Sequence, residues 1–153
     1  MITTSIILIL LAAADQLTKF LALIFLKPIS TKVLIKGVLS LTYVENYGAA
    51  FGMLQNSRWV FITLTIAIIS AILAYRIRSG ENGKLFNSAS LLLISGGMSN
   101  LIDRIFRGYV VDMIQFTFID YPVFNFADCC VVAGAVLMCI YVLRRDSDED
   151  KEI

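Results

Sequence analysis

The chain contains no histidine. Without imidazole there is no Ser–His–Asp triad, no Cys–His dyad and almost no zinc hydrolase site. Charge is scarce as well: 16% of the 153 residues are Asp, Glu, Lys or Arg, where an ordinary soluble domain has about a quarter. No basic face stands clear of the apolar stretches, so nucleic-acid binding has no support. The three cysteines, Cys129, Cys130 and Cys139, make no Cys-x-x-Cys pair. They read as buried small hydrophobes and carry no redox information. The net charge of +1 hides one asymmetry: Asp146, Asp148, Glu149, Asp150 and Glu152 crowd the last eight residues. Residues 146–153 are expected to form a solvated, disordered, cytoplasmic tail, and residues 1–145 a single membrane domain.

What is present is apolar. Hydrophobic residues make up 58% of the chain, with a mean hydropathy of +0.80, concentrated in four segments. A bilayer core of about 30 Å needs roughly 20 helical residues. Ile2–Leu26 meets that length with Asp15 and Lys19 as interruptions. Trp59–Ile77 follows with Arg76 near its end, then Leu85–Ile105 with no charge before Asp103, then Phe124–Leu143 broken only by Asp128. The first segment lacks the basic start and unbroken core of a cleaved signal peptide, so it reads as a retained helix. Two connections look like strands: Lys32–Val44 and residues 108–120 are rich in β-branched and aromatic residues in rough alternation. The expectation is an all-α membrane protein, a four-transmembrane-helix bundle capped by a small extracytoplasmic β-sheet. Basic residues in Arg76–Lys84 and at Arg144-Arg145 favour both termini in the cytoplasm. Lys27, Lys32, Lys36, Arg58 and Arg107 in the opposing loops leave that rule undecided.

Carboxylates at a membrane boundary are expensive and mark function by default. In an up–down bundle, Asp128 at the start of the fourth helix, Asn100, Asp103 and Arg104 at the end of the third, and Asp112 just beyond gather at one membrane side. Asp15 and Lys19, four residues apart on one helical face, lie toward that side and neutralise each other. Asp103, followed directly by Arg104, reads as a structural ion pair. Glu81 lies in the opposite loop, and Asp120 precedes Tyr121-Pro122 in a turn setting. Elimination favours Asp112 with Asp128 and leaves Asp103 open as a member. Two carboxylates in one site share a proton, because both cannot ionise cheaply. Such a pair activates water without histidine, metal or cofactor. The rival from another class is a small proton-coupled transporter using Asp15, Lys19, Asp103 and Asp128 as a relay. The apolar inner halves of the third and fourth segments argue against it. Trp59, Tyr75 and Tyr109 are expected as interface anchors.

Five blocks in order carry a resemblance: Asp15-Gln-Leu-Thr-Lys19, Asn46-Tyr-Gly-Ala-Ala-Phe-Gly52, Gly96-Gly-Met-Ser-Asn-Leu-Ile-Asp-Arg104, Gly108-Tyr-Val-Val-Asp-Met-Ile114 and Phe124-Asn-Phe-Ala-Asp128. With these the chain resembles the bacterial lipoprotein signal peptidases (signal peptidase II), intramembrane aspartyl peptidases of lipoprotein maturation. The resemblance implies Asp112 and Asp128 as the catalytic pair. It implies Asn46, Gly48, Asn100, Arg104 and Asn125 as substrate-binding residues, with Asp15, Lys19 and Asp103 supporting the site. The implied substrate is a diacylated prolipoprotein cut just before its lipobox cysteine. The implied setting is a monomer among membrane lipids in the bacterial cytoplasmic (inner) membrane, with its site at the outer face. Ser99 departs from the family's usual small glycine, and only a slight adjustment of helix packing is expected there. The variable pair Cys129-Cys130 carries no reading.

Overall fold

The computed structural model describes residues 2–48 and 53–149. The Ala49–Gly52 half of the second block and the last four residues lie outside the described residues. Four helices run in chain order: α1 (Ile2–Leu21), α2 (Arg58–Ser79), α3 (Lys84–Phe106) and α4 (Phe126–Glu149). Each has a stretch apolar and long enough to cross a membrane: Thr4–Leu26, Arg58–Ser79, Lys84–Phe106 and Phe126–Arg145. The expected segments thus stand, with α4 beginning two residues later than expected and staying helical to Glu149.

The third helix is the centre of the bundle. It packs against α1, α2 and α4, and 44% of its membrane window is buried, against 6% for α2. Small residues explain the close α3–α4 contact. A side chain at Gly134 would meet the Leu93 backbone nitrogen at 2.8 Å and the Ala89 carbonyl at 3.0 Å, so only glycine admits this approach. Close backbone packing of this kind substitutes, inside a bilayer, for a hydrophobic driving force between helices. At the bundle end away from the sheet, the Tyr75 hydroxyl meets that of Tyr141 at 2.9 Å. Tyr141 in turn donates to Glu81 at 2.9 Å. Tyr75 is therefore tied into a cluster rather than standing alone as an anchor, whereas Trp59 is 67% exposed at the sheet end.

The first strand-like stretch is a hairpin and not one strand. Strand β1 (Thr31–Ile35) and strand β2 (Leu39–Asn46) are antiparallel neighbours, split where Gly37 takes φ of 75°, a backbone state open to glycine at little cost. Strand β3 (Val110–Phe116) pairs antiparallel with β2, giving the order β1-β2-β3. Between α1 and β1 the helix widens into a π-helical turn, Ala22–Leu26, closed by the Lys27 N–H on the Ala22 carbonyl at 2.8 Å. That turn lays Ala22 and Leu26 against Val111 and Met113 of β3. The sheet is thereby fastened to the end of α1, and by alternation Asp112, between Val111 and Met113, points to the other side of its strand.

The α3–α4 contact yields the first prediction. Gly134→Leu should destabilise the protein by about 1–3 kcal/mol through overpacking, read as a lower thermal midpoint in detergent. An unchanged midpoint would show that the two helices do not meet as closely as described.

Candidate active site

The site is built around one asparagine. Asn125 precedes the first residue of α4, and its Oδ1 accepts the Asp128 N–H at 2.9 Å. In return, the Asn125 N–H donates to Asp128 Oδ2 at 3.1 Å. This reciprocal pair is a capping box, which satisfies two backbone donors at a helix start. A third is satisfied from another helix, because Asp15 Oδ1 accepts the Ala127 N–H at 2.7 Å. With its oxygen committed to the cap, Asn125 turns its NH2 toward β3 and donates to Asp112 Oδ1 at 2.7 Å. Both candidate carboxylates therefore contact the same residue. Asp112 is 2% exposed, whereas Asp128 is half-buried.

Asn46 completes the Asp112 side. It sits at the end of β2 opposite Val110 and donates from Nδ2 to Asp112 Oδ2 at 2.9 Å. Its Oδ1 accepts the Gly48 N–H at 2.9 Å, an Asx turn that fixes the amide orientation. A Cβ at Gly48 would stand 2.5 Å from the Met53 carbonyl, so the chain can fold back here only on glycine. Glu45, one residue earlier, holds β2 in place by accepting from Lys27 at 2.9 Å, Tyr43 at 3.0 Å and Tyr47 at 2.9 Å. The Lys27 ammonium and then the Tyr47 hydroxyl hold the Glu45 carboxyl down at about 2. Burial, followed by the nearby charge of Asp128, pushes the Asp112 carboxyl up to about 7.

A buried ion network backs the Asp128 side. Lys19 is 0% exposed, and its ammonium lies 2.7 Å from Asp15 Oδ2, 2.9 Å from Asp103 Oδ2 and 2.7 Å from Asn100 Oδ1. Asn100 then donates from Nδ2 to Asp128 Oδ1 at 2.8 Å. The Asp15–Lys19 pair is as expected, but the Asp103–Arg104 pair is not. Adjacent helical residues do not face each other, while residues four apart do. Asp103 accordingly pairs with Lys19 and with Arg107. Arg104 turns away, donating to the Gly48 carbonyl at 3.3 Å and lying 4.8 Å over the Phe61 ring.

All ten residues singled out in the sequence come together at this end of the bundle. Four participants were missed. Gln16 donates to Ser99 and to Asp103 Oδ1 at 3.1 Å, and Arg107 completes the Asp103 pair. The hydroxyl of fully buried Ser99 donates to Asp15 Oδ2 at 2.6 Å, so this departure carries a hydrogen bond and not merely a packing change. Phe61 gives Arg104 its aromatic face. Of these, only Arg107 has a sequence signal, its four-residue spacing from Asp103. Tyr109 packs on Tyr47, with ring centroids 5.3 Å apart, and on the Val111–Met113 cluster.

A sequence model for Signal peptidase (SPase) II matches residues 7–144. The chain belongs to the signal peptidase II family. Curated signal peptidase II relatives agree in length as well as sequence. The lipoprotein signal peptidase of Clostridioides difficile is 45% identical over 142 residues, covering 92% of this chain and 95% of the relative. That of Streptococcus agalactiae is 40% identical over 144 residues, covering 94% and 93%. Two solved bacterial membrane enzymes, determined by the in meso method, share the fold at 31% identity. Their TM-scores are 0.88, covering 95% of this chain and 90% of the other, and 0.82, covering 92% of each. A signal peptidase II is a peptidase, and four spans place this one in a bacterial membrane.

Asp112 gives a stability prediction with a definite sign. A carboxyl raised from 3.8 to about 7 by folding favours the folded state fully below its unfolded value, and that contribution is lost as pH rises through the folded value. Asp112→Asn removes the titration. The variant's thermal midpoint relative to the parent should therefore climb between about pH 4 and pH 7 and level off above. A difference that stays flat over that window would contradict the burial of this carboxyl.

Proposed function

We propose that the protein is an aspartic endopeptidase that removes the signal peptide from diacylglyceryl-modified prolipoproteins, cutting just before the lipidated cysteine, with Asp112 and Asp128 as its catalytic pair. The observation that carries this reading is the meeting of both carboxylates at Asn125 on the membrane boundary. One acid is buried and proton-holding near neutrality, and the other is more open. The relatives bear the name lipoprotein signal peptidase, which supports a peptidase site built on two acids.

The surrounding residues take roles that follow from their contacts. Asn46, Asn100 and Asn125 aim amide donors at the carboxylates and offer further hydrogen bonds to a peptide lying across them. Arg104, clamped between Gly48 and Phe61, sets the wall where the substrate backbone passes. The catalytic end faces the extracytoplasmic side and both termini the cytoplasm, so the substrate's lipid tails stay in the outer leaflet while its scissile bond reaches Asp128. One chain supplies every group this reading uses, so a monomer suffices for the reaction. A proton-coupled transporter is not supported: between the Asp15 level and the Arg76–Lys84 end no charged residue interrupts any span, leaving no path across the midplane.

Two measurements test the reading. Purified protein incubated with a diacylated lipobox peptide should release the leader. Asp112→Asn and Asp128→Asn should each lower kcat by about 10³-fold or more while inserting and folding normally. Appreciable turnover by either variant would sink the assignment. Cleavage should also persist in chelator; its loss, with restoration by zinc, would point instead to a metallopeptidase.

A further inference from the structure

The carboxylate pair is not symmetric, and the asymmetry comes from Lys19. Its ammonium has three acceptors, Asp15, Asp103 and Asn100, which matches the three donors an ammonium carries. The contact to Asn100 settles which way that amide lies. With Oδ1 facing a cation, its NH2 must face Asp128, where it donates at 2.8 Å. The second Asp128 oxygen takes the Asn125 N–H, and the residue stands in the first turn of α4, where the helix end favours negative charge. The line from Lys19 to Asp112 is longer by one amide: Asn100 Oδ1 accepts from Asn125 Nδ2 at 3.3 Å, and Asn125 donates to Asp112 at 2.7 Å. Its two oxygens face the amides of Asn46 and Asn125, and it is almost fully enclosed.

Charge balance points the same way. Asp128 is faced by Lys19 and Asp15 from α1, by Asp112 from β3 and by Arg104 from α3, with Cys129 beside it on its own helix. Asp112 is faced by Asp128, Lys19 and Arg104. Together with Asp103 and Arg107, four aspartates meet three cations in a low-dielectric setting. One proton makes the cluster neutral. Asp15 and Asp103 pair directly with Lys19 and Arg107, which leaves the proton to the catalytic pair.

We infer that Lys19 is a positioning residue which, through Asn100, holds Asp128 as the carboxylate of the pair and leaves the proton on Asp112. This rests on the aspartic peptidase reading and assigns its two roles. Asp128 takes a proton from water as the water oxygen bonds to the scissile carbonyl carbon, and Asp112 gives its proton to the carbonyl oxygen. In the collapse, Asp128 passes its proton to the leaving nitrogen as the C–N bond breaks. Asp112 recovers a proton from the gem-diol hydroxyl, which restores the resting state.

The test has two arms. The first reads the protonated carboxyl stretch in the infrared spectrum of purified protein about one unit below the Asp112 value of about 7. Asp112→Asn should abolish that band and Asp128→Asn should keep it; the reverse pattern overturns the assignment. This arm needs no cleavage, so its failure is separate from failure of the peptidase reading, which an inactive parent protein would show. The second arm uses the charge-balanced double variant Asp15→Asn with Lys19→Met. It should lower kcat by about tenfold or more with KM little changed, and move the acid side of the kcat profile toward neutrality. If that variant does not fold, Asn100→Ser breaks the relay while leaving the Lys19 ion pairs, and should displace the profile in the same direction. A fall in kcat with the profile unmoved would make Lys19 a packing residue only and overturn the inference.

Discussion

One ammonium in the dark holds this molecule together. Lys19 has no exposed surface, and an isolated charge taken out of water costs several kcal/mol even after the protein relaxes. It survives because two carboxylates and an amide oxygen surround it within 2.9 Å. Each partner belongs to, or reaches, a different part of the bundle. Asp15 ties α1 to the first turn of α4 through Ala127 and to α3 through Ser99. Asp103 ties α3 to β3, accepting the Val111 N–H at 3.3 Å. Removing Lys19 leaves Asp15 and Asp103 buried without their shared cation, so the network ties helices and sheet into one arrangement.

That arrangement solves a problem of access. On the proposed function, hydrolysis needs water while the substrate's anchor lies in lipid, so the chemistry has to sit where the two phases meet. Spans supply Asp128 and Asn100, while the sheet supplies Asp112 and Asn46 from outside the helices. The π-helical turn Ala22–Leu26 is the hinge of this construction, because it lets α1 end against Val111 and Met113. The sheet is thus held in register with α4 across the catalytic gap. Asn125 then serves as the common reference for both carboxylates, capping one's helix and donating to the other.

Much of this was legible in the sequence, for reasons that can be named. The spans follow from length and hydropathy, and the convergence of Asp15, Asp103, Asp112 and Asp128 follows from up–down order alone. The capping box Asn125-Phe-Ala-Asp128 went unread, because the apolar run begins at Phe124, two residues before the helix does. Pairing was harder to read. Sequence adjacency pairs Asp103 with Arg104, but helical geometry sends those side chains in different directions and hands Asp103 to Arg107 and Lys19. The hairpin was hidden because residues 32–44 keep a continuous β-like composition through Gly37. Ser99 looked like a packing choice, since one hydroxyl gives no pattern until an unpaired carboxylate lone pair is found beside it. Tertiary contacts of this kind have no period and no spacing.

On the proposed function, Asp112 and Asp128 act as a single unit. Groups that act together lose their effect together, so a second substitution adds little to the first. The direct measurement is single-turnover cleavage of a diacylated lipobox peptide by Asp112→Asn, Asp128→Asn and the double variant. The double variant should be no slower than the slower single. Losses that multiply would instead show two residues acting independently.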